Sequence, residues 1–521
     1  MPSNRKIYLA FFILLAASAL IRGFIAGFIE LGNDEVYYLT YAKFPAFSHF
    51  DHPPMVGVVI QILTLNLTFD SEFFIRLAAV VLGTLSTGLM FLTGRLIKNP
   101  LTGLYAALLF SASFYGFVLS GTFILPDAPQ VFFWLLTLYL LLLILPDREL
   151  LRKSRTLFPV AGVVAGLAML SKYHSVFLIT GIFFYILFYN RKWFGAKEIY
   201  VAFLVFLMLC LPVVLWNVDN DFISFTYHEN RVSITASGLQ PQYFLTEIAG
   251  EFFYNNPVNV VIILIAFIAL IRRKQFIRPD YKRIILWISI PLVLVFISFS
   301  LFRSTLPHWT GPGYLGFILI AAAYLSEPKR PDLKLRLIPW PVTMALVFIL
   351  LVTVAVMGQI RYGWVPLTRW KVADISHDLT GWRQLGGKFA PIAKSDVDQG
   401  RMKAGSPILT FRWFPAANLD YYVGGPVNKP VYALGTLERI HKYHWINQLR
   451  GNLKQGSDAY YIALSDDYED PVSLYGALYD TIMPADTICI TRGSELVRKA
   501  FVYRLSGLKK ELVFSNENRT K

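Results

Sequence analysis

The residues best suited to chemistry gather in short polar stretches between long apolar ones. The first stretch is GNDEVYYLTYAKFPAFSHFDHPPM, residues 32–55. It holds the acidic pair Asp34–Glu35, the tyrosines Tyr37, Tyr38 and Tyr41, and a later carboxylate, Asp51, beside His52 and the double proline Pro53–Pro54. A carboxylate can take the proton from an attacking hydroxyl. Tyrosine rings can stack on a sugar, His52 can hydrogen-bond or neutralise a phosphate, and Asp51 can hold a cation or orient His52.

Further groups of this kind follow. Asp127 stands in LPDAP, Lys172, Tyr173 and His174 in SKYHS, His228 and Arg231 in HENR, and His308 in LPHW. Each has a plainer alternative. Asp34–Glu35 and Asp127 suit helix caps, and Lys172 suits a side chain that snorkels to an interface. His228 and Arg231, one helical turn apart, suit an exposed pair as well as an anion or metal site. What favours chemistry is that these groups alternate with apolar runs in such a way that all fall on one side of a membrane. Walker, HExxH and GxSxG patterns do not occur, so ATP-driven transport and serine hydrolysis have no support.

The elements that must position these groups follow from hydropathy. The 521 residues are 55% hydrophobic and 16% charged, against about a quarter charged in soluble domains. Mean hydropathy is +0.49. A bilayer asks for about 20 apolar residues per helix. Suitable runs fall at 7–29, 76–97, 101–119, 128–146, 157–171, 174–190, 199–217, 256–271, 284–302, 310–325 and 337–358. The first run is longer than a signal-peptide core and lacks a small-residue cleavage site, so it reads as a retained span.

Charge then orients the chain. Lys and Arg crowd one set of loops, including Arg148, Arg152, Lys153, Arg191, Lys192, Lys197, Arg272, Arg273, Lys274, Lys329, Arg330 and Lys334. Positive charge marks the cytoplasmic side, which puts the N-terminus inside and the 30–75 and 218–255 loops outside. The net charge of +15 thus reflects topology, and no nucleic-acid motif accompanies it. From 359 to 521 no run is long enough to span. Short apolar stretches at 408–411, 431–434, 460–464 and 501–505, with a helix-like piece at 415–422, predict a small α/β domain. The expected division is a membrane core, 1–358, and a C-terminal outward domain, 359–521. Cys210 and Cys489 suggest neither a disulfide nor a metal pair.

The order Asp-Glu-x-Tyr-Tyr, Phe-Asp-His-Pro-Pro, LPDAPQVFFW, GLAMLSKYHSVFL, LWNVDNDFISFTYHENR and LPHWTGPGY, residues 32–314, resembles the bacterial membrane glycosyltransferases related to protein O-mannosyltransferases. It is more distantly similar to the transferases that add aminoarabinose to lipid A. The resemblance implies a C-type glycosyltransferase fold, α-helical and polytopic, with about eleven transmembrane helices in the bacterial inner membrane and a periplasmic C-terminal domain. It implies a polyprenyl-phosphate sugar as donor and a glycan, lipid or protein as acceptor. Nucleotide sugars stay in the cytoplasm, and an outward-facing transferase independently needs a lipid-carried donor.

By the same resemblance Asp34 is the catalytic base, with Glu35 in support and Asp127 as a second acidic position. The aminoarabinose transferases carry Phe-Glu-Lys-Pro where this chain has Phe-Asp-His-Pro. Asp51 therefore stands where a carboxylate joins a histidine, here His228, at a divalent-cation site, and His52 where a lysine meets the lipid phosphate. Arg231 and Lys172 are implied phosphate contacts; Tyr37, Tyr38, Tyr173 and His308 are expected to line the substrate. One base and a good leaving group imply a single displacement with inversion. The alternative is a flippase or secondary transporter for lipid-linked saccharides, which would show inverted repeats and charges near mid-span.

Overall fold

The computed structural model describes residues 2–146, 152–233, 238–328, 335–365, 367–370, 374–493 and 495–514. Of the cations used above for orientation, Arg148, Lys329, Arg330 and Lys334 lie outside the described residues.

In chain order the helices are α1 (Asn4–Phe28), α2 (Asn33–Lys43), α3 (Met55–Leu63), α4 (Glu72–Ile97), α5 (Pro100–Ala112), α6 (Asp127–Ile144), α7 (Arg152–Ser171) and α8 (Val176–Tyr189). There follow α9 (Lys197–Asp219), α10 (Ile223–Val232), α11 (Pro241–Tyr254), α12 (Pro257–Ile271), α13 (Pro279–Ser300), α14 (Gly311–Leu325), α15 (Trp340–Tyr362) and α16 (Trp382–Asp398). Each of the eleven expected apolar intervals carries helix. Among the described residues six helices, α1, α4, α6, α9, α13 and α15, are long and apolar enough to cross a membrane, or up to seven where the bent pair α11–α12 counts as one span. The remaining apolar helices are shorter.

Burial shows what solvent these helices expect. The most apolar of the six, α9, has only 17% of its apolar window buried within the protein. It presents Leu204, Leu207, Met208, Leu211 and Leu215 outward. A face of this kind is stable against lipid and not against water. The chain is a multi-pass membrane protein.

The chain divides into two compact units, Met1–Gly27 with Pro45–Thr353, and Phe28–Phe44 with Val354–Lys521. In the first unit the core contains Met90, Leu104, Tyr105, Trp134, Leu138, Ile285 and Leu319, which are all but excluded from solvent. Two buried arginines in this unit donate to backbone carbonyls. Arg22 donates to the carbonyls of Gly116 and Phe117 and to Thr87 Oγ1, and Arg76 donates to the Ala26 carbonyl at 3.0 Å.

Two irregular turns place the polar residues of this unit. Beyond α5, Ser120 N–H bonds the Tyr115 carbonyl five residues back at 2.9 Å; this wide turn holds Tyr115 almost wholly buried. Between α11 and α12 the axis bends by 98° at Asn256, whose φ is +69°. The Asn256 amide donates to the carbonyls of Ala112 and Ala345, each at 2.8 Å, and its oxygen caps Val258 N–H at 3.0 Å. One buried side chain thus fixes the corner and starts α12.

The second unit is built on a five-stranded sheet of β1 (Ile408–Thr410), β2 (Val431–Ala433), β3 (Ala459–Leu464), β4 (Tyr479–Arg492) and β5 (Glu495–Leu508), ordered β2-β1-β3-β5-β4. β1 runs parallel to β2 and β3; β5 is antiparallel to β3 and β4. Two buried carboxylates tie its connections together. Asp396 at the end of α16 accepts from Arg504, Arg401 and Tyr460, and Asp374 accepts from Arg492, Gln359 and Ser376.

The division differs from the one expected near residue 358, because Phe28–Phe44 belongs to this second unit. The reason is burial and bonding. Trp382 N–H donates to Glu30 at 2.7 Å, Leu31 N–H to the Tyr422 hydroxyl at 2.6 Å, and Lys442 Nζ to the Phe44 carbonyl at 2.6 Å. The Tyr37 ring lies 4.9 Å from that of Trp413.

Candidate active site

In the first unit the centre of the polar cluster is an ion pair. Lys172 Nζ donates to both oxygens of Asp127, at 3.0 and 2.8 Å, and the two side chains are only 3% and 2% exposed. Tyr115 adds a third bond to the same carboxylate at 3.1 Å. Asp127 opens α6, yet its side chain caps no backbone group; the cap alternative is replaced by a cation and a phenol. Lys172 in turn lies inside the protein instead of snorkelling out of it. Taking this pair out of water is costly, and only good geometry with further hydrogen bonds offsets the cost.

The start of α14 makes room for the phenol. A Cβ on Gly311 would sit 2.3 Å from the Tyr115 ring, so a larger residue there would displace Tyr115 from Asp127.

Around the pair stand the expected histidines and Arg231. The Arg231 guanidinium lies over the rings of Trp309, at 4.9 Å, and Tyr227, at 5.6 Å, a stacking suited to guanidinium groups. His228 lies 5.3 Å from Tyr173 and 6.0 Å from His52, measured between ring centroids. The Tyr173 hydroxyl reaches Ser48 at 3.4 Å. His174 packs edge-on to Trp309 at 5.6 Å.

Charge in the cluster is unevenly shared. Burial pushes His52 down to about 3; nearby Asp51 opposes this, and Lys172 and His228 add to it. Burial likewise takes His308 down to about 4, with Lys172 acting in the same sense and Asp127 against it. His228 is also lowered, by burial first, with the Asp51 carbonyl and carboxylate opposing. These imidazoles are neutral at neutral pH, so His52 can offer a phosphate a hydrogen bond but no charge. The cations of the cluster are Lys172 and Arg231.

The remaining expected residues belong to the second unit. Glu35 is buried, and its Oε2 accepts from Gly32 N–H at 2.9 Å, so it closes the first turn of α2. Tyr37 and Tyr38 are 2% and 7% exposed and pack with Tyr41 edge to face. They serve as aromatic packing in this unit and are not open at a surface. Asp34, in the same first turn, is exposed.

Residues 51–216 match the family model described as dolichyl-phosphate-mannose-protein mannosyltransferase. Lipid A galacturonosyltransferase RgtD of Rhizobium johnstonii is 22% identical over 307 residues, 58% of this chain and 63% of that protein. An uncharacterised protein of Aquifex aeolicus is 26% identical over 293 residues, 54% of each chain. The chain therefore spans between about half and two thirds of the length of these curated relatives. Among solved structures, ArnT from Cupriavidus metallidurans bound to undecaprenyl phosphate has a TM-score of 0.61 at 17% identity, over 94% of this chain and 97% of that one.

The chain shares the fold of ArnT.

The apo state of the same ArnT agrees, with a TM-score of 0.60 at 16% identity. At this identity the likeness is one of fold, and the residues of this chain must speak for its site. His228, of the expected divalent-cation pair, has its Nε2 2.7 Å from the Asp51 backbone carbonyl. A carbonyl only accepts, so Nε2 carries the proton there and the ring's lone pair lies on Nδ1. Among the described residues, no group of three or more His, Cys, Asp or Glu side chains is arranged to hold an ion.

Four participants escaped the sequence reading. Tyr115 was hidden inside an apolar run, and only its contact with Asp127 reveals it. Trp309 adjoins His308 but is distinguished only by the arginine above it. Glu247 and Glu251, four residues apart in the aromatic helix QYFLTEIAGEFFY, had a legible signal: two carboxylates on one face of an otherwise apolar helix.

Proposed function

We propose that this chain is an inverting glycosyltransferase of the bacterial inner membrane. It moves a sugar from a polyprenyl-phosphate donor to a glycan, lipid or protein acceptor at the outward face. The observation that carries this reading is the pairing of two cations at one polar cluster, Lys172 held by Asp127 and Arg231 laid over Trp309, within a fold like that of ArnT bound to undecaprenyl phosphate.

Transfer needs the leaving phosphate stabilised and the acceptor deprotonated. The first task falls to Arg231, whose fork matches two phosphate oxygens, and to Lys172. An ammonium has three N–H groups; Lys172 uses two on Asp127 and turns the third to the phosphate. Asp127 and Tyr115 act as positioning residues, holding the ammonium where burial strengthens its attraction for an anion. His52 and Tyr173 contribute uncharged hydrogen bonds.

The second task is assigned to Asp34. Of the carboxylates Asp34, Glu35, Asp51 and Asp127, Asp34 alone is exposed, as the base for an incoming hydroxyl must be. The proton passes from acceptor to Asp34 as the glycosidic bond to the acceptor forms and the sugar–phosphate bond breaks, leaving the polyprenyl phosphate as an anion. The orientation rests on the positive-inside asymmetry of the loops.

The test is reconstitution in vesicles with a panel of undecaprenyl-phosphate sugars and a mixed acceptor preparation. Transfer by wild type that is lost in Asp34→Asn supports the reading. Transfer retained in full by Asp34→Asn removes the base, and failure of undecaprenyl phosphate to bind wild type removes the transferase reading itself.

A further inference from the structure

The α11 helix carries two carboxylates that the transfer chemistry does not use. Glu247 and Glu251 lie one turn apart on one face and are 1% and 2% exposed. Each is half satisfied. Glu247 Oε2 accepts from Thr305 Oγ1 at 2.7 Å, and Glu251 Oε2 accepts from the Tyr314 hydroxyl at 2.9 Å. The other oxygen of each, Oε1, is buried with no hydrogen-bond partner among the described residues. Buried carboxylate oxygens are costly to leave unmet, so two of them side by side ask for hydrogen-bond donors from a ligand.

Their place in the fold says which ligand. Gly250, between them in sequence, presses against the turn Pro307–Thr310; a Cβ there would meet Pro307 Cγ at 2.1 Å. That turn carries Trp309, on which Arg231 lies, and His308, which stacks with Tyr254 of α11 at 6.4 Å. Tyr254 itself is within electrostatic reach of both Asp127 and Glu247. The acidic pair thus borders the cations assigned to the lipid phosphate, within the same unit. A group attached directly to that phosphate is the part of the donor that arrives here, and that group is the sugar.

We propose that Glu247 and Glu251 accept hydrogen bonds from the donor sugar and select a neutral or amino sugar over one bearing a carboxylate. The proposal rests on the transferase reading above and adds the substrate class. Carboxylate oxygens accept from hydroxyls or from an ammonium group, and charged acceptors form the stronger bonds. A uronic acid would instead set a further carboxyl against two whose open oxygens need donors, in a buried site where an added negative charge is costly.

The experiment measures binding to the full-length protein in nanodiscs. The probes are undecaprenyl phosphate alone and the same lipid carrying glucose or mannose, an aminohexose, or galacturonic acid. Wild type is expected to bind a neutral or amino-sugar lipid at least about tenfold more tightly than the galacturonate lipid. Glu247→Gln and Glu251→Gln are each expected to weaken the preferred sugared lipid by about tenfold to a hundredfold, to narrow the gap to the galacturonate lipid, and to leave undecaprenyl phosphate unchanged. Equal or tighter binding of the galacturonate lipid by wild type overturns the proposal, and this comparison needs no variant to fold. Variants that weaken sugared and sugar-free lipid to the same degree, or weaken neither, overturn it too. If wild type fails to bind undecaprenyl phosphate, the transferase reading falls and this inference with it.

Discussion

Lys172 donates to both oxygens of Asp127 at 3.0 and 2.8 Å in a site that excludes solvent from both side chains. The two residues are 45 positions apart, and each explains the other. Asp127 without Lys172 is a buried bare carboxylate; Lys172 without Asp127 is a buried bare ammonium. Removing one partner by Asp127→Ala or Lys172→Ala is expected to destabilise the protein by about 3–5 kcal/mol. Replacing both, as Asp127→Leu with Lys172→Met, is expected to cost less than the sum of the two. Thermal unfolding of the purified protein in detergent, arranged as a double-mutant cycle, checks both expectations. Additive losses would show that the pair is not coupled.

Arg231 tests the phosphate assignment without removing charge. Arg231→Lys keeps a cation but loses the planar fork and the stack on Trp309. Affinity for undecaprenyl phosphate is expected to fall about tenfold, near 1.4 kcal/mol. A lysine variant that binds as wild type does would mean that charge alone is used there, or that the phosphate lies elsewhere.

Asp34 separates chemistry from binding. Asp34→Asn is expected to slow sugar transfer by about 10²- to 10⁴-fold and to leave donor affinity unchanged. Single-turnover transfer and lipid binding, measured on the same preparation, distinguish this from misfolding. A parallel loss of donor binding would instead place Asp34 in the donor site.

The His228 contact makes a further prediction. Because its Nε2 donates to the Asp51 carbonyl, His228→Ala is expected to weaken undecaprenyl phosphate binding by loosening the loop that carries Asp51 and His52, with or without EDTA. Binding by wild type that disappears with EDTA and returns with Mn²⁺ or Mg²⁺ would instead place a cation at this histidine's Nδ1.

Much of this architecture was legible before any coordinates. All eleven apolar intervals are helical, because a run of some twenty apolar residues has few other stable forms in a membrane. The short β-branched and aromatic stretches at 408–411, 431–434 and 460–464 became β1, β2 and β3. Strand β4 did not announce itself: MPADTICITR alternates poorly, and the register shifts between Pro484 and Asp486. The division of the chain was hidden for another reason. Tyr37 looks like a group open to a ligand until Trp413 and His441, nearly 400 residues away, cover it. Sequence shows which residue types are present and how far apart they stand along the chain; it does not show that Lys172 will be spent on Asp127, or that Tyr115 will turn inward to share it. The partners of such polar residues emerge only when helices from distant segments pack.

The second unit has its own pH dependence, carried by Asp374 and Asp396. Burial alone would raise both carboxyls. Arg492, with Ser376 and Gln359, instead holds Asp374 down at about 2, and Arg504 with Arg401 and Tyr460 holds Asp396 below its ordinary value. A carboxyl with a depressed folded pKa stabilises the fold above its unfolded value, near 3.9, and loses that contribution as pH falls toward the folded value. The unit is therefore expected to keep its stability from neutral pH down to about 4 and to lose it progressively between about 4 and 2. Asp396→Asn should flatten that dependence and lower stability at pH 7, because Arg504 loses its charged partner at 2.7 Å. The measurement is tryptophan fluorescence during urea unfolding across that pH range, with Trp382 at the buried end of α16 as the reporter. Acid sensitivity that persists undiminished in both Asp374→Asn and Asp396→Asn would assign the effect to other carboxyls.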